Sequence, residues 1–157
     1  GQTPIKFKVG DSAMTQRTVR QIIEGQEPVS APAGTMISDA ARLMKQRKVG
    51  ALMVVENDKL VGVFTERDGL FRVLAEGLSG DSTPLSAVMT TNPQTIGPNA
   101  GFTEALQMMH EGRYRHLPVV EDGRVIGIVS VRDALGPELE AFVYEMLRQE
   151  QIGEVLA

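Results

Sequence analysis

The chain has 157 residues, 42% hydrophobic and 23% charged, the make-up of a globular protein large enough to bury a core without staples. It has no cysteine, which excludes a disulfide scaffold, thiolate zinc sites and a cysteine nucleophile. A net charge of −4, with five Phe, two Tyr and no Trp, argues against general nucleic-acid binding and base-stacking platforms.

No run approaches the length of a membrane helix, and the N-terminus lacks a basic stretch followed by an apolar core, so a cytoplasmic location is expected. Residues 1–18 read as an N-terminal extension. Ile37, Ala40, Ala41 and Met44 then fall at helical spacing, an apolar stripe on one face. Ser38 sits where an N-cap or first-turn hydroxyl would satisfy free N–H groups. ALMVV at 51–55 is too short for a helix and rich in valine, so it predicts a buried strand. ENDK at 56–59 is turn chemistry, LVGVF at 60–64 a second strand paired back on the first, and a helix starts after Thr65.

The pattern then recurs. Phe102, Ala105, Leu106 and Met109 copy the helical stripe, with Thr103 in the place of Ser38. HLPVV at 116–120, EDGR at 121–124 and VIGIV at 125–129 copy the hairpin, and a helix is expected after Ser130. Residues 28–70 align with 93–135 at a constant shift of 65, without a gap. The identities include Leu52/Leu117, Val54/Val119, Gly62/Gly127, Arg67/Arg132 and Asp68/Asp133. Internal duplication is therefore the organising fact.

The predicted fold class is α+β: two pseudo-twofold-related repeats, each strand-helix-strand-strand-helix, packed sheet to sheet. Neither copy alone buries enough at about 60 residues, and their pairing would create two equivalent clefts suited to a ligand. The boundaries are 19–80 for the first repeat, 81–136 for the second, and 137–157 for a C-terminal helix and tail. PELEAFVYEMLRQE at 137–150 starts with Pro in its first turn. Its stripe of Leu139, Phe142, Val143, Met146 and Leu147 needs a covering surface. Met44, Met108 and Met109 lie in the amphipathic helices and are expected in the core.

The segments VGALMVVENDKLVGVFTERD at 49–68 and YRHLPVVEDGRVIGIVSVRD at 114–133 resemble paired cystathionine-β-synthase (CBS) domains, the tandem unit called a Bateman module. The resemblance covers about residues 19–136. It implies a non-catalytic regulatory module that binds an adenosine-containing molecule between the repeats: AMP, ADP, ATP, S-adenosylmethionine or NADH. It also implies ribose binding by Asp68 and Asp133, and phosphate or sugar contacts from Thr65 and Ser130. The adenine would lie against Gly50, Ala51 and Leu52 in the first copy and His116, Leu117 and Pro118 in the second. Module helices of this family commonly meet those of a second module, which implies a homodimer; a regulated partner protein would carry any catalytic output.

The residues themselves leave two readings of TERD at 65–68 and SVRD at 130–133. A carboxylate accepts hydrogen bonds from both hydroxyls of a vicinal diol, and a hydroxyl with free N–H groups at a helix start faces a phosphate. Ser/Thr-x-x-acid is equally a capping box, which needs no ligand. Arg115 and Arg132, with Arg67 in the first copy, are candidate phosphate forks; Arg113 is as well explained by ending a helix. His110 and His116 are the only histidines and have no metal-ligand spacing, so no metal and no catalytic cofactor are expected. No Walker sequence, GxGxxG or GxSxG elbow is present, so an enzyme is not expected. The competing reading is an interaction scaffold of the same fold that binds no nucleotide.

Overall fold

The computed structural model describes residues 16–156, with side chains through residue 150. Its elements, in chain order, begin with α1 (Val19–Ile23), β1 (Ser30–Ala31), α2 (Ile37–Arg47), β2 (Ala51–Glu56) and β3 (Lys59–Thr65). After β3 come α3 (Glu66–Asp68), a π-helical stretch (Gly69–Leu74), α4 (Leu85–Val88) and β4 (Thr90–Thr91). The second half holds α5 (Phe102–Gly112), β5 (His116–Glu121), β6 (Arg124–Ser130), a single 3-10 turn (Val131–Asp133) and α6 (Gly136–Leu156).

The main helices and hairpins read from the repeat are present in both copies, while in the second copy the expected first strand is reduced to an isolated bridge between Ile96 and Val119. Asn57 and Asp58 turn the first hairpin with φ of 53° and 65°, and Asp122 and Gly123 turn the second with 53° and 80°. Two successive positive φ values are what a tight two-residue turn between right-twisted strands requires, and Asn, Asp and Gly tolerate them. Both main helices end alike: Lys48 and Arg113 take the left-handed conformation. Val49 N–H then returns to Met44 C=O at 3.0 Å, and Tyr114 N–H to Met109 C=O at 3.1 Å, closing the last turn.

Two compact units result, and they do not follow the repeat boundaries. One consists of residues 25–96 and 118–128, the other of the described parts of 1–24, 97–117 and 129–157. In the first, β1-β2-β3-β4 form one sheet, with β1 parallel to β2 and the other pairs antiparallel. Its core contains Ile37, Ala40 and Met44 of α2, Leu52 and Val54 of β2, Phe64 of β3, and Leu85 and Val88 of α4. In the second unit the buried side chains include Val19 and Ile23 of α1, Phe102, Ala105, Leu106 and Met109 of α5, Leu117 and Val129.

The short helices exchange places relative to the sequence repeats. α1 precedes the first repeat's hairpin, yet Val19 N–H bonds Ala100 C=O and Arg20 N–H bonds Pro98 C=O, beside α5. Conversely α4 belongs with α2, because Leu85 N–H bonds Thr35 C=O and Ile37 N–H bonds Thr83 C=O.

One local expectation is narrowed and three need correction. The N-caps of α2 and α5 are Met36 and Gly101, with no side-chain cap; their first N–H groups go to the backbone of Thr83 and Arg17, so Ser38 and Thr103 are left as first-turn residues. Ala41 is exposed, so the α2 stripe narrows to Ile37, Ala40 and Met44. Met44 and Met109 are core residues, while Met108 is only half-buried. The helix expected after Ser130 is one 3-10 turn that stops at Ala134, whose ψ of 131° is extended. Pro137 explains that break, since it has no N–H to donate to Asp133 C=O if the helix continued. At the equivalent first-repeat position, Arg72, no such obstacle exists.

Candidate functional site: the two strand-end motifs

Each hairpin ends where its partner strand begins. In the first repeat Thr65 pairs with Ala51, and Glu66 N–H donates to Gly50 C=O at 2.9 Å. In the second, Val131 N–H donates to Arg115 C=O at 3.2 Å. The strand-end hydroxyl, the acid three residues later and the first residues of the hairpin are thus gathered at one edge in each copy. The sheet register does this, because an antiparallel hairpin returns its last residue to its first.

The capping box is real in both copies. Thr65 N–H donates to Asp68 Oδ2 at 2.9 Å, Thr65 Oγ1 lies 3.1 Å from the same oxygen, and Asp68 N–H returns to Thr65 Oγ1 at 3.2 Å. Ser130 N–H donates to Asp133 Oδ2 at 2.8 Å, and Ser130 Oγ accepts from Arg132 N–H at 3.2 Å. The two carboxylates differ in what surrounds them. Asp68 is buried and its Oδ1 lies 3.6 Å from Arg72 Nε. Asp133 is half-buried, and its Oδ1 accepts no hydrogen bond among the described residues.

The remaining expected residues divide by burial. Gly50 and His116 are half-buried at the hairpin edge, whereas Ala51, Leu52, Leu117 and Pro118 are buried. Leu52 belongs to the hydrophobic core, so at this position only the backbone faces the edge. Arg67 stacks on Phe71, its guanidinium carbon 4.8 Å from the ring centroid. Arg132 and Arg115 are exposed and their side chains form no ion pair among the described residues. Arg115 also lines a shallow depression with His110, Arg113 and Tyr114; burial pushes the Tyr114 hydroxyl pKa up.

One residue in contact with the second motif escaped sequence reading. Arg17, in the segment read as an extension, donates Nε to Glu138 Oε2 at 2.9 Å and Nη2 to Glu138 Oε1 at 2.5 Å. The same Nη2 reaches Asp133 C=O at 2.8 Å. A lone arginine before the first repeat carries no motif, so nothing in the sequence marks it. Among the described residues there is no group of His, Asp and Glu able to hold a metal ion, and no helix is long and apolar enough to cross a membrane.

Two hairpins, each closed by a hydroxyl-x-x-acid box and preceded by an amphipathic helix, define a tandem-repeat module of α+β class. The CBS domain family profile matches residues 19–74 and 85–137, and the chain belongs to that family. It is 40% identical over 121 residues to the CBS domain-containing protein CBSCBSPB3 of Arabidopsis thaliana, covering 76% of this chain and 22% of that protein. The chain therefore spans about a fifth of the length of that plant relative. It is 39% identical over 116 residues to the CBS domain-containing protein YhcV of Bacillus subtilis (strain 168), covering 74% of this chain and 81% of that one. The structure of a CBS domain protein from Pyrobaculum aerophilum, complexed with AMP, superposes with a TM-score of 0.73 at 24% identity, covering 82% of this chain and 99% of that one. Tandem CBS modules are in general regulatory rather than catalytic.

Proposed function

We propose that this chain is a non-catalytic sensor of an adenosine-containing nucleotide (AMP, ADP or ATP, with NADH as the larger alternative) and that the second strand-end motif is its working site. The observation that carries the reading is the open Oδ1 of Asp133. The capping box occupies only Oδ2, so the other oxygen remains to accept from a ribose diol, a charge-assisted and therefore strong arrangement. Arg132 and Arg115 supply cations for phosphate on the same edge. Asp68, buried beside Arg72, is the weaker acceptor. The AMP complex of the Pyrobaculum aerophilum protein supports the ligand class.

Bound ligand would signal by favouring whichever conformation it binds better, and by no more than that difference in affinity. The output lies with a regulated partner protein. The exposed apolar faces around Leu70, Phe71 and Leu74 and along Leu139, Val143 and Leu147 support a homodimer, and the cysteine-free composition fits a reducing cytoplasm.

Isothermal titration with AMP, ATP and NADH tests the reading. Binding that Asp133→Ala abolishes and Asp68→Ala spares is the expected result. Absence of heat with every adenosine compound would leave the interaction scaffold, favoured by those same exposed apolar faces, as the better account.

A further inference from the structure

We infer that Arg17 is a positioning residue that couples the second strand-end motif to the C-terminal helix. The helical run of the first repeat continues from Asp68 into Gly69–Leu74 without interruption. In the second repeat it stops at Ala134 and restarts at Gly136, leaving Ala134 and Leu135 as a two-residue hinge. Pro137 cannot supply an N–H to the carbonyl of Asp133, and Arg17 Nη2 takes its place at 2.8 Å.

The other face of the same guanidinium holds the far side of the hinge. It grips both oxygens of Glu138, and Glu138 Oε1 in turn accepts from Leu135 N–H at 3.0 Å. Arg17 is itself fixed: its C=O accepts from Phe102 N–H at 2.8 Å, and its guanidinium carbon lies 5.7 Å from the centroid of the fully buried Phe102 ring. One side chain thus bonds the turn that carries Asp133 and the first turn of α6, across the only two residues that join them. A planar, bidentate arginine fork is suited to this and a lysine is not.

The consequence, which rests on the nucleotide reading for the identity of the ligand, is that a change at the Asp133 turn is felt along α6. The helix it would move carries the exposed Leu139, Val143 and Leu147. Perturbation of the turn without Arg17 would dissipate in the hinge.

Hydrogen exchange on the full chain tests the coupling without ligand, in wild type, Arg17→Gln, Asp133→Ala and the double variant. Amides of 136–147 should exchange about tenfold faster in Arg17→Gln, the factor that a hydrogen bond to a charged group is worth. Asp133→Ala should accelerate the same amides when Arg17 is present and add nothing when it is absent. Unchanged protection of 37–47 shows that the fold persists, and Arg17→Lys should recover only part of the protection. Additive effects of the two substitutions, or wild-type exchange at 136–147 in Arg17→Gln, would overturn the inference. Adding AMP is a separate arm: failure of the wild type to respond removes the nucleotide reading, while the ligand-free cycle still decides the role of Arg17.

Discussion

The side-chain amide of Gln26 pairs with both backbone groups of Ile128, accepting from its N–H at 2.8 Å and donating to its C=O at 3.0 Å. A single side chain thereby satisfies a strand edge as a neighbouring strand would, and it does so from a residue 102 positions away in sequence. Removing it leaves two half-buried backbone groups without their partner. Gln26→Ala should cost about 1–3 kcal/mol, read as a lowered urea midpoint with an unchanged slope.

Gly62 faces Met89 and Thr90 across the β3–β4 edge. A Cβ there would lie 2.5 Å from Met89 Sδ and 2.9 Å from the Thr90 carbonyl oxygen. The methionine end can move, but the backbone oxygen can do so only by opening the short β3–β4 pairing. Gly62→Ala should therefore destabilise by about 1–3 kcal/mol, the range for overpacking. A midpoint equal to wild type in chemical denaturation would show that the edge yields freely.

The hydrogen bonds from Arg17 hold the Glu138 carboxyl below its ordinary range, aided by Leu135 N–H and opposed by burial. A depressed folded pKa means stability that is present above the unfolded value and lost as pH falls through the folded one. Arg17, raised by the same pair, stays protonated throughout and adds no pH dependence. Wild type should lose stability as pH drops below about 4.3, and Glu138→Gln should show a smaller loss over that window. Parallel pH profiles of thermal midpoint for the two proteins would contradict this.

Both capping boxes contribute to stability whatever their ligand. Asp68→Ala and Asp133→Ala each remove a backbone N–H bond to a carboxylate and should cost about 1.5–3 kcal/mol, the contribution of a hydrogen bond to a charged group, measured by denaturation without nucleotide. Separating this cost from affinity is why titration and unfolding must be run on the same variants.

If the exposed leucines of the two units mediate self-association, Leu74→Asp together with Leu139→Asp should shift the mass seen by light scattering from dimer to monomer. Leu74 is 70% and Leu139 47% exposed, so neither change disturbs the core. A wild-type mass that is monomeric at every concentration would remove the dimer.

The hairpins with their two-residue turns and the paired hydroxyl-x-x-acid motifs were legible in the sequence because each rests on near neighbours. Periodicity, turn residues and capping spacing act within four positions. The constant shift of 65 then doubled every local signal. The stripe Phe102, Ala105, Leu106 and Met109 is wholly buried as its spacing required, whereas Ala41 satisfied the same pattern and is exposed. Small residues at the margin of a stripe are placed by what packs there, not by period.

Only the tertiary structure decided which backbone groups cap α2 and α5, which unit claims α1 and α4, and which carboxylate stays open. Those outcomes depend on partners 46 to 116 positions distant, such as Thr83 for Ile37, Ala100 for Val19 and Arg17 for Asp133. The sequence by itself determined a repeated α+β module of the CBS family with an acid at the end of each hairpin. It was silent on the difference between those acids. That difference arises because Pro137 lacks an N–H, the second helix breaks, and an arginine from outside both repeats closes the gap.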